Sequence, residues 1–117
     1  MDNLQREIGE WQDRTFPAKT VESIVCHMEK EFNELRDAFN SLNSNPCSTV
    51  ETLLHGVAKF EKELADVFIL SFGLAHHIGI SAEKIVREKF EINKMRQWGN
   101  PDENGVVEHI REESNGQ

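Results

Sequence analysis

The sequence predicts an all-α protein, a bundle of four main helices completed by oligomerisation. Apolar residues recur at helical spacing in four successive segments, and start and stop signals bound each one. Strand formers are scarce, with no tyrosine and few β-branched runs.

The first helix is expected from Asp2 to about Asp13, with Asp2 as N-cap and Leu4, Ile8 and Trp11 on its apolar face. The segment Arg14-Thr15-Phe16-Pro17 ends it, because Pro17 drives Phe16 out of the helical region. Thr20 can cap a second helix to about Leu42, with Ile24, Met28, Phe32, Leu35, Phe39 and Leu42 as its stripe. Asn43 to Cys47 reads as a loop containing Pro46.

Ser48 and Glu51 form a capping box, predicting a third helix from Ser48 to Ile78 that stops at Gly79. Its inner stripe is Val50, Leu53, Val57, Phe60, Leu64, Val67, Ser71, Ala75 and Ile78. Val67 to Phe72 is apolar almost all round, which calls for cover on more than one side, plausibly from a second subunit. Ser81 can cap a fourth helix ending near Trp98, before Gly99 and Pro101. A turn at Glu103-Asn104-Gly105 and one short helix at Val106 to Glu112 would follow. Residues 1–113 then form a single domain, and 114–117 a mobile tail.

The chain has 117 residues, enough for one core, and its net charge of −8 disfavours a protein that wraps a nucleic-acid polymer. An acidic protein can still take phosphates through metal ions. Cys26 and Cys47 fit neither a disulfide framework nor a close metal pair, so a reducing cytoplasm is expected. The charged N-terminus does not read as a signal peptide, and Asp66, His76 and His77 interrupt the longest apolar run, so no membrane partner is expected.

Glu31-x-x-Glu34 and Glu63-x-x-Asp66 each set two carboxylates one turn apart on one helix face. Facing pairs of this kind can converge on divalent cations, whose remaining positions water and phosphate can fill. Spacing alone is a weak signal, since Glu7/Glu10, Glu10/Asp13, Glu34/Asp37 and Glu88/Glu91 share it. Context separates them: Glu31, Glu34 and Glu63 flank apolar stripes, and Asp66 interrupts the apolar run Leu64 to Leu70. A carboxylate so placed needs compensation by a cation or by several hydrogen bonds.

On the fourth helix Lys89, Asn93 and Arg96 share a face, where the cations could hold phosphate oxygens and the amide a sugar or base. A solvated polar face is the alternative. His27 is either a neighbour of the carboxylates or a packed histidine, and Trp11, Phe16 and Trp98 could stack a base or fill core.

These motifs in this order resemble the MazG-like all-α NTP pyrophosphatases, in particular the dATP/dGTP pyrophosphohydrolase branch that includes the phage MazZ enzymes. Glu10-Trp11-Gln12 with Thr15-Phe16-Pro17, His27 to Glu31, Asn93 to Gly99, Pro101-Asp102 and Gly105 to His109 extend the resemblance over nearly the whole chain. It implies cleavage of a purine dNTP (dGTP, dATP or both) between the α- and β-phosphates to dNMP and pyrophosphate, shaping or cleaning the nucleotide pool. Glu31, Glu34, Glu63 and Asp66 would hold two or more Mg²⁺ or Mn²⁺ ions and act as the catalytic acids, with Glu34 a candidate to orient the water. Lys89, Asn93 and Arg96 would bind substrate, and Ile8, Trp11 and Phe16 the base. The resemblance further implies a homodimer or homotetramer in the cytosol of a bacterium or phage-infected host. The competing expectation is a non-catalytic acidic helical adaptor or nucleic-acid mimic. A carboxylate di-iron bundle is disfavoured, because no Glu-x-x-His pair accompanies the acids.

Overall fold

In the computed structural model, which describes residues 2–44 and 49–111, the helices are α1 (Asp2–Thr15), α2 (Val21–Ser44), α3 (Val50–His77) and α4 (Ala82–Met95). The chain divides into two compact units, Met1–Ala82 and Glu83–Gln117. No single helix among the described residues is long and apolar enough to cross a membrane.

In the first unit α3 is the central helix, and both α1 and α2 pack on it. The α2 start follows expectation, with Thr20 and Ser23 capping each other: Ser23 N–H donates to Thr20 Oγ1 at 3.0 Å and Thr20 N–H to Ser23 Oγ at 2.8 Å. Thr49, not Ser48, caps α3; its hydroxyl accepts from Thr52 N–H at 3.1 Å, while Ser48 and Cys47 lie outside the described residues. At the other end Ile80 N–H reaches Ala75 O and Gly79 N–H reaches His76 O, with Gly79 at φ 76°. This Schellman closure needs the left-handed residue that glycine supplies.

The α1 face departs from expectation. Asp2 is its first helical residue, not its cap, and the helix runs on to Thr15. Its buried residues are Gln5, Gly9 and Gln12, while Leu4 and Trp11 of the expected stripe stay about half exposed. Close approach explains the inversion: a Cβ at Gly9 would lie 2.0 Å from His76 Cγ, and one at Gly73 would lie 1.8 Å from Gln12 Oε1. Glycine on each helix therefore makes room for a polar side chain of the other. Gln5 is fully engaged, its Nε2 donating to Ile80 O and its Oε1 accepting from Ala82 N–H, both at 2.7 Å. The Gln5 oxygen thus satisfies a free N–H at the start of α4, and Ser81 Oγ donates to Asp2 Oδ1 close by.

The core is small. Ile24 and Ala38 of α2 and Val67, Leu70 and Ala75 of α3 are buried, but Phe32 and Phe39 of α2 and Val50, Leu53, Val57 and Ile78 of α3 are exposed. Phe68 and Ile69, in the run read as apolar all round, are also exposed on the single chain.

In the second unit α4 stops at Met95, short of Trp98, where Arg96 N–H and Trp98 Nε1 both donate to Asn93 O. Asp102 Oδ1 accepts from Asn104 and Val106 N–H, closing an Asx turn with Gly105 at φ 78°. The chain then returns to form an isolated bridge between Trp98 and His109. Residues 106–111 are therefore non-helical, against the short helix expected there. The β-branched pair Val106-Val107 and the Asx turn before it favour an extended return. The expected tail at 114–117 lies outside the described residues.

Gly9→Ala should cost about 1–3 kcal/mol by overpacking α1 against the His76 ring, seen as a fall of several degrees in the thermal midpoint. An unchanged midpoint would show that α1 can move away from α3 freely.

Candidate metal centre

Glu31 on α2 faces Glu63 and Asp66 on α3, and one carboxylate oxygen from each lies within 4.8 Å of the others. The helical spacing of Glu63 and Asp66 sets both on the α2 side of α3. Ala38, buried one turn beyond Glu34, keeps the two helices close. So does Gly56, where a Cβ would lie 2.5 Å from Leu42 Cδ2.

Glu31 Oε2 and Glu63 Oε2 are buried and find no hydrogen-bond partner among the described residues. The other Glu31 oxygen lies 3.2 Å from His27 Nε2, so His27 adjoins the acids. Burial pushes the Glu31 carboxyl above the ordinary range, and the neighbouring carboxylates of Glu34 and Asp66 add to the rise. Glu63 is raised by burial first, then by Glu34 and Asp66, with Lys59 opposing. Glu34 therefore interacts with both glutamates, although it lies outside the tight trio. Asp66 is exposed, and the oxygens that lack compensation belong to Glu31 and Glu63. The apolar run around Asp66 leads to this group of acids, but the buried oxygens in it are those of the two glutamates.

Buried, unpartnered oxygens from an all-carboxylate donor set fit a hard divalent cation. The site opens into a pocket of about 420 Å³ between α1, α2 and α3, lined among others by Glu31, Asp66, Trp11, Phe16, Lys19 and Ile24. Trp11 and Phe16 meet edge to face, ring centroids 5.6 Å apart. Two aromatics of the expected base-binding set thus share a pocket with two of the carboxylates, whereas Ile8 is half-buried and does not line it. Lys19, on the turn after α1, had no sequence signal. Its side chain is only 10% exposed and pairs with Asp13, which also lies 3.2 Å from His76 Nε2.

Lys89, Asn93 and Arg96 lie in the second unit. Arg96 Nη1 donates to Asn93 Oδ1 at 3.5 Å, and Lys89 and Asn93 line a shallow cavity with Ile85, Val86 and Phe90. Trp98 packs edge to face on His109. Burial lowers the His109 pKa, and the charges of Arg96, Arg111 and Lys89 lower it further.

A family model for dATP/dGTP pyrophosphohydrolases matches residues 55–116. A dATP/dGTP diphosphohydrolase of Cyanophage S-2L is 42% identical over 107 residues, 92% of this chain and 85% of that protein. One of Salmonella phage PMBT28 is 31% identical over 108 residues, and there the chain spans only 31% of the relative's length. Among solved structures, the Cyanophage S-2L MazG-like pyrophosphohydrolase bound to dGDP and three catalytic Mn²⁺ ions per active site is similar at TM-score 0.60. The likeness covers 94% of this chain and 92% of that one at 24% identity, which identifies the fold as MazG-like.

The raised carboxyls give a signed pH effect. Without metal, each ionises less readily folded than unfolded, so its stabilising contribution is full below the unfolded value of about 4.3. That contribution is lost as pH rises through the higher folded value. The metal-free thermal midpoint should therefore fall through this window more steeply in the native protein than in Glu63→Gln. Mn²⁺ should raise the native midpoint most above the window. Parallel curves for the two proteins, with and without Mn²⁺, would remove the carboxylates from the metal site.

Proposed function

The chain belongs to the dATP/dGTP pyrophosphohydrolase family, and on that premise we propose that it hydrolyses a purine dNTP between the α- and β-phosphates, with a divalent metal. The observation that carries the reading is the pair of buried, unpartnered oxygens of Glu31 and Glu63 beside Asp66, at the mouth of an aromatic pocket. Support for a purine nucleotide and for manganese comes from the cyanophage neighbour, which binds dGDP and three Mn²⁺ ions.

Glu31, Glu63 and Asp66 would hold the metal through their facing oxygens. Bound Mg²⁺ or Mn²⁺ supplies Lewis-acid neutralisation of phosphate charge and a water of lowered pKa. Glu34, whose charge acts on both Glu31 and Glu63, would orient the attacking water and take its proton. Water adds to phosphorus, the bridging α–β P–O bond breaks, and dNMP and pyrophosphate leave. Trp11 and Phe16 flank the base, while Lys89 and Arg96 bind phosphate oxygens, and Asn93 hydrogen-bonds the substrate. The site would hold two or more such ions. The reaction withdraws dGTP or dATP from the nucleotide pool.

The working unit is a homodimer or homotetramer. Phe32, Leu54, Phe68, Val86, Phe90 and Met95 are all more than half exposed on the single chain. A second copy would cover such surface.

Incubation with each dNTP and NTP plus Mg²⁺ or Mn²⁺, with products resolved by phosphate number, tests the reaction. A purine dNTP should yield monophosphate and pyrophosphate, whereas no turnover with either metal would sink the reading. Glu31→Gln and Asp66→Asn should each lower turnover at least about 100-fold, beyond the usual cost of disturbing a ligand's supporting contacts, with helicity retained. An acidic adaptor would tolerate both changes.

A further inference from the structure

We propose that a second cavity between α2 and α3, across the acids from the aromatic pocket, seats the departing pyrophosphate, with Lys59 as the residue that binds it. This rests on the hydrolase reading above and deepens it by assigning a site to one product.

Both helices place the two hollows in the same order. On α2 the aromatic pocket is lined by Ile24 and His27, and the second cavity by Ser41 and Leu42. On α3 the aromatic pocket takes Ile69 and Leu70, and the second cavity Gly56 and Lys59. Glu31 and Glu34 on one helix, and Glu63 and Asp66 on the other, fall between these stretches. The acids therefore separate the hollows, with Glu31 and Asp66 at the rim of the aromatic one.

The second cavity, of about 290 Å³, has a different charge. His55 and Lys59, one turn apart on α3, line it together with Ser41 and Thr52, and among the described residues no carboxylate does. Nor is the lysine spent elsewhere. Arg6, Lys19, Arg87 and Lys94 each form an ion pair, whereas the Lys59 ammonium has no hydrogen bond or ion pair to another described residue. It stands one turn before Glu63, about 6 Å along the helix axis, and its charge acts on that carboxyl. Lys59 thus adjoins both the metal site and the cavity.

The reaction needs a cation there. When the bridging α–β P–O bond breaks, its electron pair stays on the departing oxygen, and pyrophosphate carries the new charge. With the base in the aromatic pocket and the attacked phosphorus at the acids, the leaving group extends along the groove toward Lys59. The ammonium donates charge-assisted hydrogen bonds to its oxygens, and these strengthen as the charge develops.

Calorimetric titration of inorganic pyrophosphate into the protein at saturating Mg²⁺ tests this without catalysis. Lys59→Met should weaken pyrophosphate binding about tenfold, the size of one hydrogen bond to a charged group, and Lys59→Arg should restore most of it. The affinity for dGMP should be unchanged. Mg²⁺ should bind no more weakly, because removing a cation beside Glu63 favours a metal ion. In the native protein dGMP should still bind when pyrophosphate is saturating, since the two products occupy separate hollows. Mutual exclusion of the two, or no pyrophosphate binding by the native protein, would overturn the inference whether or not the variants fold. So would an affinity that survives Lys59→Met, or a loss shared with dGMP or Mg²⁺. A protein that turns over dNTP but gives any of these results keeps the hydrolase reading and loses this one. Absence of turnover with the expected binding would count against the hydrolase reading alone.

Discussion

Two helices of this protein press carboxylates together where water cannot reach all of their oxygens. Glu31 Oε2 and Glu63 Oε2 are buried without partners at the α2–α3 contact, within reach of Asp66 and coupled to Glu34. An isolated buried carboxylate is among the costlier arrangements a fold can hold. The metal-free chain meets the cost by keeping the two glutamates more protonated than usual. Neighbouring features serve to keep the helices near each other in spite of that repulsion, notably the small residues Ala38 and Gly56 and the aromatic pair Phe39–Phe60.

The second packing, α1 on α3, determines what stands beside the acids. Because Gln5, Gly9 and Gln12 face inward, the register of α1 turns Leu4 and Trp11 outward, and Trp11 comes to lie on the pocket wall. A helix packed through its apolar stripe would have buried that indole. Glycines at 9 and 73 allow the polar register by removing the side chains that would collide with His76 and Gln12. One packing choice thus delivers Trp11, Phe16 and Lys19 to the mouth of the carboxylate site.

Much of this was legible in the sequence, and the exceptions share a cause. Caps and breakers act within a few residues, so Thr20, Gly79 and the end of α1 near Pro17 could be read locally, to within a residue or two. The face of α1 could not, because apolar periodicity assumes that apolar residues are the ones buried, and here a glycine and two glutamines are. The trio Glu31, Glu63 and Asp66 was legible by spacing and face. Which oxygens would be stranded was not, because stranding depends on the α2–α3 separation and not on the neighbours in the chain. Lys19 was invisible for the same reason: it is held by Asp13, which His76 of α3 also holds, and a lysine after a helix stop reads as solvent-facing. At 106–111 a local signal was present but outweighed, since the Asx turn at Asp102 commits the chain to return toward Trp98.

The electrostatics of the two units are opposite in sign and alike in form. In Met1–Ala82, burial first and then the clustered acids push Glu31 and Glu63 toward their neutral forms. In Glu83–Gln117, burial and then Arg96, Arg111 and Lys89 push His109 toward its neutral form. Burial and like charges together therefore disfavour charge within each cluster. The acidic cluster therefore calls for a cation and the basic cluster for an anion, each within its own unit.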